Sequence, residues 1–548
     1  MLKKYLYNLK FLILIVVICN ILATVAMVFT PYLTKVLFDS IAEGKGSQIL
    51  WLIIMYIGCN IVSLIFTYFE TLFTWKQSIR FEMLLKQDFF KAITNYSYKK
   101  FSSRDIGQYI SLQGNEITQL EMDYLTPLMD IIKSINSLII YGIMFFAFIN
   151  WKIALIMLLC SIISTLVGPN ITSKKLSKKR KAYLDKMGEY VSKIKDLLEG
   201  FKLITDKTRK NVILEQEKFL KNTAEYRFKY GKFKTLACTI NGAFVYVMHI
   251  IAFALVGYLL FKKEITIGTA VATFGYLECF INPIESLIYD INTINSTKDI
   301  KKKVLEFLNN DDYSTELIKK DLFNSNIKFD NVNIKYENFS LNNFSYIFEK
   351  GKKYAIIGHS GSGKSTILNA LMKYIDLDTG NIFIDDENIK NLNTDNLIFS
   401  ISQNEHIFAS DFKNNVTIFK SYPLIQNIFL TEGLNEKMIK SIEEKENCQL
   451  LSGGEKQVVS IKRIFSANAP IWIMDEVFSA TDMNTTKKIQ QNLMSINDKT
   501  IIMITHKLSE DLSDFDEILI MENGKLVQSG SYDEIYKSKS FMKLQSVL

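Results

Sequence analysis

The strongest chemical signal in the chain is the unbroken stretch Gly358-His359-Ser360-Gly361-Ser362-Gly363-Lys364-Ser365-Thr366. Its glycines let backbone N–H groups curl around phosphate oxygens, Lys364 is placed to reach the β- and γ-phosphates of a nucleotide such as ATP, and Ser365 can ligate Mg²⁺. An apolar run at 354–357 precedes it and a helical pattern at 367–374 follows, which is the strand, loop, helix setting that a phosphate cradle needs. The alternative, a plain Gly-rich turn, would produce the whole pattern only rarely at average residue usage. Further on, Ile471-Trp472-Ile473-Met474 reads as a buried strand ending in Asp475-Glu476. Asp475 is expected to hold Mg²⁺ and Glu476 to polarise the attacking water. A second apolar run, 500–504, ends in Thr505-His506, which predicts the histidine at the same sheet edge, within reach of a γ-phosphate. Leu451-Ser452-Gly453-Gly454-Glu455 opens another helix and forms a second anion site. One cradle already serves the chain's own nucleotide, so this second site is expected to meet a nucleotide carried by another subunit.

These motifs lie in the last 220 or so residues, where short β-rich runs alternate with helical patterns, the signature of an α/β domain. A charged connector around 296–325 precedes it, giving expected domains at 1–300 and 326–548 with a linker at 301–325. The chain has 548 residues, of which 48% are hydrophobic and 22% charged. Its mean hydropathy is +0.10. Those values exclude one small domain, a disordered chain and a wholly soluble enzyme. The net charge of +8 comes from 65 basic and 57 acidic residues, an excess that cytoplasmic loops of a membrane protein supply, and nucleic-acid binding is not indicated. Six cysteines and four histidines are scattered, without the spacing of disulfides or structural zinc.

Six apolar runs are long enough to cross a bilayer, roughly at 8–36, 49–74, 124–149, 151–172, 235–261 and 265–292. The first is read as a retained helix, because its apolar core is too long for a cleaved signal. Lys and Arg concentrate in the N-terminus and in 76–123 and 173–234, whereas the connections near 43–47, 150–151 and 262–264 are short, so both termini are expected in the cytoplasm. The two long loops keep helical patterning, which predicts membrane helices that continue roughly 35–40 Å into the cytosol. Trp51 and Trp75 stand at the two ends of the second run, as interfacial anchors do.

Taken in order, six spans with long cytoplasmic extensions, the Gly-rich loop, LSGG and the Met-Asp-Glu strand resemble an ABC transporter of the exporter type, over essentially the whole chain. The resemblance is to a half-transporter: a six-helix membrane domain fused to an α/β P-loop nucleotide-binding domain of the ABC type. By that resemblance the nine-residue loop matches Walker A and Ile471–Asp475 matches Walker B. Gln403 matches the Q-loop, a Mg²⁺ and catalytic contact, and Glu476 the catalytic glutamate. Ser452, Gly453 and Gly454 match the signature, 479–482 the D-loop with Asp482, and His506 the switch histidine. Tyr336 is favoured over nearby Phe339 as the aromatic that stacks on adenine. The departures are Glu455 in place of the commoner Gln, Thr481 in place of Leu, and a short segment between Gln403 and Leu451.

The resemblance implies ATP-driven export of a peptide, lipid or amphipathic drug across a bacterial cytoplasmic membrane by alternating access. Two nucleotide-binding domains would close head-to-tail over two ATP molecules with Mg²⁺. Intact Glu476 and Ser452 favour a homodimer over a heterodimer. The stretches near 102–108 and at Glu199-Gly200 resemble the family's coupling elements. No N-terminal peptidase domain is expected, because the first span begins so early. A non-transporting ATP-gated channel or sensor, or an importer on the same fold, remains an alternative. Ionisable residues inside spans mark function by default, and Glu278 and Glu285 are expected to form an acidic cavity for cationic or zwitterionic cargo. Pairing with Lys133 or snorkelling to the interface is the competing expectation, while Asp130 and Lys133, at i and i+3, can neutralise one another.

Overall fold

A computed structural model describes residues 2–148, 151–308, 317–336, 339–402, 405–425, 436–478, 483–506 and 510–546; the side chains of most of 151–173 also lie outside the description. Its residues divide into two compact units, Met1–Asn95 with Arg104–Asp311, and Tyr96–Ser103 with Asp312–Leu548.

The first unit is helical. Its main elements are α1 (Lys10–Ala42), α2 (Ile49–Thr94), α3 (Thr126–Phe148), α4 (Trp151–Glu199), α5 (Arg209–Phe261), α6 (Ile267–Ser296) and a short α7 (Lys298–Leu308). At 1.5 Å per residue the 46 residues of α2 and the 53 of α5 run for roughly 70 and 80 Å, more than twice a hydrocarbon core of about 30 Å. Three described helices are long and apolar enough to cross a membrane: Lys10–Ala42, Gly46–Thr94 and Ile106–Ala147. In α5 the apolar part is the shorter His249–Phe261, and α6 carries Glu278, Glu285 and Asp290 along its length. None of the most apolar stretch of α2 is buried within the chain. In water such a surface would aggregate; lipid chains solvate it without penalty. Trp51 and Trp75 are both largely exposed at its ends.

Polar contacts knit the spans where apolar packing has no driving force against lipid. The Tyr276 hydroxyl of α6 donates to the Val28 carbonyl of α1 at 2.9 Å. At the far end of α1, Asp39 accepts from the Thr266 hydroxyl and the Gly268 N–H, both at 3.1 Å. Gly268 has no space for a side chain, since a Cβ would stand 2.3 Å from the Lys35 carbonyl oxygen. Lys133 of α3 pairs with Asp130 at 2.9 Å and with Glu70 of α2 at 3.3 Å. Asn20 of α1 donates to the same Glu70 at 3.3 Å. Lys133 therefore reaches neither Glu278 nor Glu285 among the described contacts. Its cross-helix partner Glu70 was not among the ionisable residues singled out from the spans, because a single Glu between Phe69 and Thr71 barely interrupts the apolar run.

The second unit is built on a six-stranded sheet and a smaller antiparallel one. Its strands and principal helices are β1 (Asn326–Lys335), β2 (Ser340–Glu349), β3 (Lys353–Gly358), α8 (Lys364–Leu371), β4 (Thr379–Ile384), β5 (Ile398–Ile401), α9 (Gly453–Ala467), β6 (Ile471–Asp475), β7 (Thr500–Ile504), β8 (Glu517–Glu522) and β9 (Lys525–Gly530). The large sheet has the order β9-β8-β3-β7-β6-β5, with β9 antiparallel and the others parallel. The small sheet runs β2-β1-β4 and then Glu387–Asn388. Strands β3 and β7 are buried from end to end, as expected for central parallel strands covered on both faces. Tyr96–Ser103, from the connection that follows α2, belongs to this unit rather than to the rest of 1–300. Tyr98 lies on Tyr374 with ring centroids 4.1 Å apart, and Lys99 pairs with Asp376. The packed residues thus precede and barely overlap 102–108.

Candidate nucleotide site

The carboxyl ends of β3, β7 and β6 lie side by side, with Ile504 in register with both Ile356 and Asp475. This places the loop after β3, the His506 segment after β7 and the acidic pair after β6 at one sheet edge, where open α/β sheets bind ligands. Backbone bonds tie the three ends together: Glu476 N–H to Ile504 O at 3.1 Å and Thr505 N–H to Ile356 O at 3.3 Å.

The loop needs its glycines. Gly363 has φ +101°, and a Cβ there would meet the Phe339 ring at 2.7 Å. Gly361 has φ +78° with open space around it. Strained turns of this kind expose consecutive N–H groups at the N-terminus of α8, an arrangement that attracts anions. Lys364 folds back so that Nζ donates to the Gly358 and His359 carbonyls at 2.9 Å each. Burial pushes its amine pKa down, against the pull of Glu476 and Asp475. Among the described residues the buried Ser362 hydroxyl has no hydrogen-bond partner. An orphaned hydroxyl, a cation bonded among the described residues to its own loop and a Cβ-free cradle all fit a polyphosphate.

Burial raises the Asp475 carboxyl pKa; the hydroxyl of Ser365 donates to it, and the neighbouring Glu476 charge adds to the rise. Such an acidic pair beside a hydroxyl has the chemistry to hold Mg²⁺, Ser365 and Asp475 being the described residues that could ligate it. Glu476 has φ +53°, a conformation that non-glycine residues adopt at a cost and that concentrates at functional sites. Its carboxylate lies 2.7 Å from His506 Nε2. Tyr336 is 47% exposed, with its ring 6.3 Å from that of Phe339. The Phe339 ring lies against Gly363, whereas Tyr336 is open to solvent.

Ser452 caps α9 in a reciprocal box with Glu455. Its N–H and hydroxyl donate to the Glu455 carboxylate at 2.8 and 2.7 Å, and the Glu455 N–H points back to the hydroxyl at 3.5 Å. Gln403, Thr481 and Asp482 lie outside the described residues. The next described residue after Gln403-Asn404, Glu405, accepts from Ser402 N–H at 3.1 Å and pairs at 3.1 Å with Arg463, a buried residue of α9 that also donates to the Asn415 carbonyl at 2.9 Å. That bridge ties the segment at Glu405 to the helix that Ser452 caps. Reasoning from sequence missed it, because a Glu and an Arg 58 positions apart carry no local pattern.

Within the first unit, Asp123, Arg180, Lys234, Glu285 and Tyr289 line part of a cavity of about 460 Å³. Arg180 bonds Asp123 at 2.8 Å. Glu285 contributes to the lining, whereas Glu278, also exposed, does not.

Residues 13–284 match the family described as the ABC transporter transmembrane region, and residues 341–479 match the ABC transporter family. The chain is 25% identical over 556 residues to YgaD of Bacillus subtilis (strain 168), provisionally named a multidrug export ATP-binding/permease protein, covering 94% of this chain and 92% of that one. It is 26% identical over 476 residues to an ATP-dependent lipid A-core flippase of Aliivibrio fischeri, covering 83% and 80%. A solved bacterial Atm1-family ABC exporter with ATP bound superposes with a TM-score of 0.84 over 98% of both chains, at 18% identity.

Proposed function

The chain belongs to the ABC transporter family, with its exporter-fold membrane region and its ATPase on one polypeptide, and on that premise we propose that it is half of a homodimer that exports an amphipathic cargo across the cytoplasmic membrane. ATPase-coupled transport is the activity of the family; direction, cargo and the identity of the second subunit are the proposal. The observation that carries it is the meeting of Lys364, Asp475, Glu476 and His506 at three adjacent strand ends.

In this reading the backbone of 358–364 and the Lys364 ammonium hold the phosphates, Lys364 exchanging its bonds to Gly358 and His359 for phosphate oxygens. Ser365, Asp475 and Gln403 would hold Mg²⁺, which supplies charge neutralisation to the β- and γ-phosphates when bound. The Glu476 carboxylate orients a water and polarises it for attack in line with the leaving oxygen. His506, hydrogen-bonded to Glu476, keeps that carboxylate aimed and presents its ring to the γ-phosphate edge. By resemblance to the family, Ser452 and its glycines would meet the partner's nucleotide, Asp482 would serve as the D-loop aspartate and Tyr336 would stack on the adenine. Phe201 and Leu203, exposed just beyond Gly200, support docking of a second chain, since an uncovered apolar turn favours an interface.

For cargo, the mixed lining of Asp123, Arg180, Lys234 and Glu285 favours a zwitterionic or amphipathic molecule such as a peptide, lipid or drug. Glu278 faces outward elsewhere on α6 and contributes to the acidic character of that helix. Cytoplasmic placement of both termini and of the α/β unit follows the lysine-rich loops, and a bacterial membrane follows the relatives. The test is Mg²⁺-ATPase of the purified chain in lipid nanodiscs beside Glu476→Gln, with ATP-dependent cargo uptake into proteoliposomes. Turnover that falls at least ~100-fold in the variant is expected. Equal turnover in both would sink the assignment of Glu476, and conductance without uptake would sink the exporter reading.

A further inference from the structure

Helix α4 carries the densest run of positive charge in the chain, Lys174-Lys175-Leu176-Ser177-Lys178-Lys179-Arg180-Lys181. Lys174, Lys175, Lys178, Lys179 and Lys181 are all exposed, and none makes an ion pair among the described residues. At about 100° per residue they occupy one arc of roughly 160°, whereas Leu176 and Arg180 fall on the opposite side, where both line the cavity and Arg180 bonds Asp123. Lys232 of the antiparallel α5 is exposed as well, two residues from Tyr230, which stacks on Tyr183 of α4 with centroids 6.2 Å apart. The nearest acidic residue along α4, Asp185, lies a full turn beyond Lys181.

The position of this face along the helix matters as much as its charge. The apolar run 151–172 would span roughly 33 Å, close to the hydrocarbon thickness of a bilayer, and the same helix continues without a break into the lysines. The stretch from Lys174 to Lys181 then rises about 10 Å, matching the headgroup layer and the first counterion shell beyond it. Unpaired lysines that only had to set topology would not need one continuous face. We infer that this face of α4 binds the headgroups of anionic phospholipids in the cytoplasmic leaflet and so selects the lipid shell beside the cargo cavity. The inference rests on the reading of 151–172 as a membrane span. Clustered lysines just cytoplasmic of a span attract anionic lipid in this way, and the attraction weakens with salt.

The probe is phosphatidylglycerol against phosphatidylcholine. The full chain is reconstituted into nanodiscs of mixed composition, and the retention of spin-labelled phosphatidylglycerol is compared with that of the phosphatidylcholine analogue. Wild type should retain the anionic lipid at least fivefold better, with the preference collapsing in high salt. Replacing Lys174, Lys175, Lys178 and Lys179 together by Gln should abolish the preference, while the corresponding Arg variants keep it. ATP turnover in pure phosphatidylcholine should be equal in all three proteins, which shows that the Gln variant is folded. Equal retention of phosphatidylglycerol by wild type and the Gln variant would overturn the inference with the membrane reading intact. A chain that fails to enter the bilayer at all would overturn both.

Discussion

Replacing Glu455 by Gln should lower stability and raise apparent ATP affinity at once, two effects of opposite benefit from one atom exchange. The single hydroxyl proton of Ser452 is donated to the Glu455 carboxylate at 2.7 Å, although that hydroxyl is the group expected to meet a partner's γ-phosphate. A bond to a charged acceptor is worth about 1.5–3 kcal/mol against about 0.5–1.5 for a neutral one, so Gln releases the hydroxyl by about 1 kcal/mol, or roughly fivefold. The exchange also removes a negative charge from the anion site, which acts in the same direction. Against this, α9 loses a carboxylate from its first turn, worth about 0.3–1 kcal/mol at a half-exposed position. The expected outcome is an apparent KM for ATP about fivefold lower, kcat within twofold, and a melting temperature reduced by one or two degrees. Hydrogen bonds from the Ser452 N–H and hydroxyl hold the Glu455 pKa below the usual range. Its stabilising contribution is therefore present above an unfolded value of about 4.3 and is lost as pH falls through the lower folded value. The variant should accordingly show a shallower loss of stability below about pH 4. An unchanged or higher KM would refute the argument that Glu455 competes for the hydroxyl, and unchanged stability would refute the charge-assisted cap.

Gly363→Ala should abolish nucleotide binding measured by a fluorescent ATP analogue, since the new Cβ meets both a φ of +101° and the Phe339 ring at 2.7 Å. Trimming Phe339 to Ala in the same chain should recover only part of the lost fold stability and none of the binding, because the backbone strain remains. Asp385→Ala should cost about 3 kcal/mol, read as a fall in chemical-denaturation midpoint. Its carboxylate accepts from the Asn324 and Ser325 N–H groups at 2.8 and 2.6 Å and pairs with Lys320 at 3.3 Å. Burial alone would raise its pKa, but those bonds outweigh it and the net shift is downward, so the contribution holds above about pH 4 and disappears as pH falls through the folded value. A wild-type midpoint that stayed constant from pH 7 to pH 3 would contradict that linkage.

Much of the nucleotide site was legible because its parts are local. A phosphate cradle is made within nine residues, by glycine conformations and a helix start, and a buried strand ending in Asp-Glu places its carboxylates with no help from elsewhere. The Ser452–Glu455 cap is equally local, a Ser followed three positions later by Glu. The chemistry of the chain and the two-part architecture were therefore written in short windows of residue type and in the length of apolar runs.

Which side chains meet across those windows was decided only by the tertiary structure. Glu476 and His506 are 30 positions apart and come into hydrogen-bond contact because β7 inserts between β3 and β6, an order that no local pattern encodes. The Glu405–Arg463 bridge, the Lys133–Glu70 pair and the stacking of Tyr98 on Tyr374 arise in the same way. Backbone propensity and motif chemistry act over about ten residues. A partner tens or hundreds of positions away is selected by packing of whole elements, where burial makes an unpaired charge or ring too costly to leave alone.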